Sequence, residues 1–158
     1  MTGWLRHTVW FNRLVLLAGS LLFAAIARSY LLHPVASGAP FGITFGSTDA
    51  ITIARVGFGA FPLALALVFI GCQISGRLLV GLAVLATVAV IITAVRFAGL
   101  LVDGPGPFTL HVLKPEIALA VLSIAATVLE AKRRKVPTHA TPEAPVASRT
   151  VRRASERS

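Results

Sequence analysis

The chain has 158 residues, 56% hydrophobic and 13% charged, with 15 Lys and Arg against 6 Asp and Glu for a formal net charge of +9. Such apolarity excludes an ordinary soluble domain of this length and places the chain in a bilayer. The basic excess does not make a nucleic-acid binder, because the cations do not line an aromatic-bearing face. They gather at Lys132, Arg133, Arg134 and Lys135 and again at Arg149, Arg152, Arg153 and Arg157, which is the form of a topology signal.

Residues 1–13 (MTGWLRHTVWFNR) read as a cytoplasmic interfacial segment, with Trp4, Trp10 and Phe11 at headgroup depth and Arg6 and Arg13 toward anionic lipid. The first span covers about 14–32, enough at ~1.5 Å per residue to cross a hydrocarbon core of ~30 Å. Ala25-Ile26-Ala27 has the small-x-small form of a signal-peptide cleavage site. The apolar run resumes at Tyr30-Leu31-Leu32 beyond Arg28, however, and retention as a span is the reading adopted. His33-Pro34 ends the span, and the uncharged Gly- and Pro-rich loop that follows suits the outer side, with Phe41, Ile43 and Phe45 dipping back to the interface.

Ser47-Thr48-Asp49 offers an N-cap for the second span, about 50–71, with Asp49 as the expected capping side chain. Ala54, Gly57 and Ala60 or Ala64 recur at helical spacing and predict a stripe for close backbone approach. Pro62 removes a donor and clashes with the carbonyl of Phe58, which predicts a kink. Residues 72–77 (CQISGR) form a short cytoplasmic turn. Cys72, the single cysteine, excludes an intramolecular disulfide and reads as a small buried hydrophobe.

The third span covers about 78–100, with Gly81, Ala86, Ala89 and Ala94 for packing, and Asp103-Gly104-Pro105-Gly106-Pro107 breaks it into a second outer turn. The fourth covers about 108–131, with Pro115 placed in its early turns, and Glu130 meets the stop-transfer run at Lys132–Lys135. Residues 132–158 read as a basic, disordered cytoplasmic tail in which His139 is incidental. The fold class is all-α, a four-span transmembrane helix bundle of an inner membrane with both termini cytoplasmic.

Each span then carries one ionisable residue in its outer half, namely Arg28, Arg55, Arg96 and Glu116, while the inner halves read as apolar or small. A charge at the bilayer centre costs ~2.5 to 3.5 kcal/mol, so these groups are expected to face one another or a wet cavity. One reading has Arg28 snorkel to headgroups while Arg55, Arg96 and Glu116 form an ion-pair network that fixes helix register. The other notes three guanidinium groups against one intramembrane carboxylate, with Asp49 and Asp103 offsetting from the loops. That surplus favours an anionic or carbonyl-bearing amphiphile, such as a lipid headgroup or a quinone. His33 and His111 have no ligand spacing with Glu116, so no metal site is expected. No catalytic triad, phosphate loop, haem pair or dinucleotide motif points to an enzyme or a cofactor.

AITIARVGFGAFPLALAL with Arg55, AVRFAGLLVDGPGPF with Arg96 and Asp103-Gly104-Pro105, and LKPEIALAV with Glu116 carry a resemblance across about 14–131. In that order they resemble the small bacterial four-helix membrane proteins grouped as domain of unknown function 4345, with a looser likeness to DoxX-like membrane proteins. The resemblance implies a four-helix integral membrane protein and singles out Arg55, Arg96, Asp103 and Glu116, but assigns no activity. The DoxX-like likeness implies quinone-linked redox partners. Three readings follow. One is a non-enzymatic membrane protein whose cluster binds an anionic amphiphile or holds the bundle. The second is a membrane subunit of a quinone-linked oxidoreductase with a membrane protein partner. The third is a small transporter acting as a homo-oligomer.

Overall fold

A computed structural model describes residues 2–135; the reading of 136–158, His139 included, lies outside the described residues. Among the described residues the chain is helical with no strand. It contains α1 (Thr2–Leu32), a short α2 (Pro34–Gly38) continued by a 3-10 turn (Ala39–Phe41), then α3 (Thr48–Ala54), a π-helical turn (Arg55–Ala60) and α4 (Phe61–Ile74). α5 (Leu78–Val102) and α6 (Pro107–Lys135) complete it. Four stretches are long and apolar enough to cross a membrane: Arg6–Leu32, Thr48–Ile74, Leu78–Val102 and Phe108–Lys135. They run up and down, so Thr2, the α4–α5 turn and Lys135 share one end of the bundle, the terminal end. Residues 33–47 and 103–106 make the other, the loop end.

Large apolar side chains such as Leu21, Ile53, Leu67, Ile91 and Val121 stand exposed on the outer surface. A soluble protein would bury them, whereas a bundle in hydrocarbon presents them to lipid. The packed interior is narrow: Val15, Leu16 and Phe23 of α1 meet Ala66 and Phe69 of α4, Leu78, Leu82 and Leu85 of α5 and Ala126 of α6. Phe23 and Phe69 touch edge to face with ring centroids 5.8 Å apart. α1 packs against α4, α5 and α6, which makes it the helix on which the bundle is assembled.

Several elements differ from the sequence expectation in instructive ways. α1 does not begin at the first apolar run; it is helical from Thr2, and its 31 residues reach roughly 46 Å. Its first turns therefore pack as part of the bundle, with Thr8 and Asn12 buried. The cap of α3 is Ser47 rather than Asp49: Ser47 has the extended backbone of a cap (φ −153°, ψ 166°), and its Oγ accepts from the Ala50 N–H. Asp49 lies inside the first turn, where its charge still suits the helix dipole. Pro115 is not at a helix start, because α6 already begins at Pro107, so its missing donor falls in the helix interior.

The disturbance expected at Pro62 takes the form of the π-helical turn that precedes it. The Phe61 N–H donates to the Val56 carbonyl five residues back. Widening the turn in this way moves the Phe58 carbonyl away from the proline ring it would otherwise strike. The extra residue also turns the helix, so that Gly59 faces α1 while Gly57 looks outward with nothing near it. A Cβ at Gly59 would stand 2.8 Å from the Leu31 side chain, so here only glycine admits the neighbouring helix. On α5 the expected packing residues Gly81, Ala86 and Ala89 are buried, whereas Ala94 is exposed.

Candidate functional site

Of the five residues singled out in the sequence, the structure brings two together. Arg96 on α5 donates from Nε to Glu116 Oε2 at 2.5 Å and from Nη2 to Oε1 at 2.6 Å, a fork-to-fork pair joining α5 to α6. Arg96 lies roughly 9 Å along the helix axis from the end of α5, and Glu116 roughly 13 Å from the start of α6, so both sit within the span. Each charge alone would be costly at that depth; together they leave two of five guanidinium N–H groups occupied and the rest available. The side chains are 26% and 17% exposed, so the pair is reachable from outside.

Arg28 on α1, Arg55 at the start of the π turn and Asp103 after α5 are exposed, and none forms an ion pair among the described residues. Asp103 closes the end of α5 through its backbone, its N–H donating to the Gly99 carbonyl at 2.7 Å. His33 and His111 are likewise exposed, and no grouping of His, Cys, Asp and Glu fit for a metal ion occurs among the described residues.

Glu116 also lines an apolar slot of about 80 Å³ between α1, α5 and α6, walled by Leu22, Phe23, Ile26, Ala89 and Ile92. Its single polar wall is that carboxylate, already neutralised by Arg96. Toward the loop end, Ile26 is shared with an open groove of about 330 Å³ whose walls include Ser29, Tyr30, Ser37 and Phe41. Phe41 closes over α6 by meeting Phe108 with ring centroids 4.4 Å apart. An apolar slot and, bonded to the carboxylate in its wall, a guanidinium with free N–H groups are the two features an amphiphile needs, a bed for its chain and a donor for its head.

A second polar centre lies at the terminal end, where the sequence reading expected only apolar or small residues inside and an exposed stop-transfer flank. Glu130 is fully buried. It accepts from Asn12 Nδ2 at 3.0 Å, from Arg133 Nε and Nη2 at 2.9 and 2.6 Å, and from Arg134 Nε at 3.2 Å. Asn12 is also fully buried, and its Oδ1 accepts no hydrogen bond. The node thus ties the first turns of α1 to the last turns of α6. Asn12 is 20 residues from the end of α1, roughly 30 Å, which puts the node one hydrocarbon thickness from the loop end. Arg133 and Arg134 can therefore answer Glu130 while their outer edges reach headgroups.

The signal for this node was present in the pattern of α6, where Ala120, Ser123, Ala126 and Glu130 are buried at spacings of three and four residues. Glu130 continues the core-facing stripe, while the basic run around it reads as a solvated flank. No protein-family model, no curated protein and no solved structure matches the chain.

Proposed function

We propose that the chain is a non-enzymatic protein of the bacterial inner membrane, with both termini cytoplasmic, that binds an anionic amphiphile at Arg96 and the slot beside it. The orientation rests on charge. Among the described residues, Arg6, Arg13, Arg77, Lys132, Arg133, Arg134 and Lys135 at the terminal end stand against Glu130 alone, and at the loop end Arg28, Arg55, Arg96 and Lys114 are balanced in large part by Asp49, Asp103 and Glu116. The observation that carries the binding reading is that Glu116, which lines the apolar slot, holds Arg96 in a two-bond pair. Glu116 fixes the guanidinium, and the free N–H groups of Arg96 remain for a phosphate or carboxylate. Membership of the four-helix family resembled by Arg55, Arg96, Asp103 and Glu116 belongs to the same proposal.

The test is native mass spectrometry with lipid extraction on the purified protein, comparing wild type with Arg96→Ala and with Ile92→Trp, which fills the slot from a half-exposed position. An anionic lipid held by wild type and lost in both variants is the expected result. Retention unchanged in both would overturn the reading. A bound quinone in place of anionic lipid would transfer the site to the quinone-linked alternative.

A further inference from the structure

We propose that the amphiphile is a glycerophospholipid of the loop-end leaflet whose headgroup carries free hydroxyls, with that head in the groove of Ser29, Tyr30 and Ser37; this rests on the anionic-amphiphile reading and specifies its ligand. Three observations lead to it. The slot and the groove share Ile26 as a wall, so they lie in succession along α1. Their order along α1 is a lipid's own: Ser29 is roughly 4 Å from the end of α1 and Ile26 roughly 9 Å, while Phe23 and Leu22 lie deeper. Glu116, which holds the Arg96 guanidinium, lines the slot beside Ile26. A phosphate at Arg96 therefore has the apolar slot beneath it for the chain and the groove of Ser29 and Tyr30 at its own level for the head.

The chemistry of the groove selects the head. Ser29 Oγ donates its proton to the Ala25 carbonyl at 3.1 Å, and Tyr30 Oη donates to the Ser37 carbonyl at 3.4 Å. With their protons engaged within the chain, both oxygens face the groove as acceptors, and acceptors recognise a donor-bearing head. An ammonium is also a donor, but Arg28, the residue before Ser29, is exposed and forms no ion pair among the described residues, so a positive head is repelled there. Hydroxyls satisfy the acceptors without meeting that repulsion. Phe41, the aromatic wall, gives the carbon face of a glycerol an apolar surface to lie on.

The experiment incubates the purified full chain with an equimolar mixture of phosphatidylglycerol, phosphatidic acid, phosphatidylethanolamine and phosphatidylcholine of one acyl composition, and reads the retained lipids by native mass spectrometry. Wild type should retain phosphatidylglycerol roughly tenfold over phosphatidic acid, the size expected of two added hydrogen bonds. Ser29→Ala, at an exposed position where the fold is not at stake, should cut that ratio about threefold, and adding Tyr30→Phe should bring it near parity. Equal retention of phosphatidylglycerol and phosphatidic acid by wild type, or a ratio untouched by Ser29→Ala, would overturn the headgroup assignment while leaving the anionic reading standing. Preference for phosphatidylethanolamine would overturn it as well. No preference for either anionic lipid over phosphatidylcholine would instead remove the anionic reading, and the headgroup assignment with it.

Discussion

The bond between Asn12 and Glu130 is the contact by which the two ends of the described chain hold each other, and its strength can be measured. Asn12 Nδ2 donates to a carboxylate at 3.0 Å with both side chains fully buried. A hydrogen bond to a charged group contributes about 1.5 to 3 kcal/mol, and this one has no water to replace it. The arginine bonds to the same carboxylate add less, because the side chains of Arg133 and Arg134 are 32% and 44% exposed and recover hydration when released. Such screened pairs are worth ~0.2 to 1 kcal/mol each. Glu130→Ala should therefore cost about 2 to 4 kcal/mol, Asn12→Ala about 1.5 to 3 kcal/mol, and Arg134→Ala less than about 1 kcal/mol.

The decisive quantity is the coupling between the first two, read by reversible unfolding in mixed micelles of wild type, both single variants and the double variant. The shared bond should appear as non-additivity of about 1.5 to 3 kcal/mol, since each single change already removes it. Additive costs, with a coupling below about 0.5 kcal/mol, would refute the claim that Asn12 and Glu130 hold α1 to α6.

Glu116→Gln should lower the melting temperature in detergent, because Arg96 loses a full carboxylate partner within the span; an unchanged value would sink the structural role of the pair. Gly59→Ala should destabilise by about 1 to 3 kcal/mol, as its Cβ meets Leu31 at 2.8 Å, whereas Gly57→Ala, in open space, should be neutral or slightly stabilising. The reverse ranking would deny the π-helical register. Asp103→Cys combined with Cys72→Ser should react with an impermeant thiol reagent in intact cells, and reaction only after lysis would reverse the proposed orientation.

How much of this could be read in advance differs from element to element, and the reason is periodicity. Four apolar stretches separated by His33-Pro34, the turn at 72–77 and Asp103-Gly104-Pro105 are visible in composition alone, because a span of hydrocarbon needs a long uninterrupted run. The Arg96–Glu116 pair was within reach because two opposite charges in adjacent apolar helices have few other partners. Arg28 and Arg55 also lie in the outer halves of their spans, yet depth says nothing about azimuth, and they stand exposed, as does Asp103 in the loop. Glu130 was hidden by its company, since four basic neighbours make a buried carboxylate look like part of a wetted flank.

The second span shows the remaining difficulty most sharply. A regular α-helix through Ala54 predicts Gly57 or its neighbour on the packing face, and a stripe continuing through Ala60 or Ala64. The residues that are buried are Ala54, Gly59, Pro62, Ala66 and Phe69, at spacings of five, three, four and three. The five is the π turn. One residue accommodated ahead of Pro62 shifts every following side chain around the axis, so a stripe that fits a constant period across the proline identifies the wrong glycine. Pro62 was itself the clue, because a ring that cannot accept the carbonyl four residues back must be met either by a bend or by a wider turn. With the wider turn the helix still presents Gly59 to Leu31 and Phe69 to Phe23, and it is this re-phased face that lets α1 lie against both the π turn and α4.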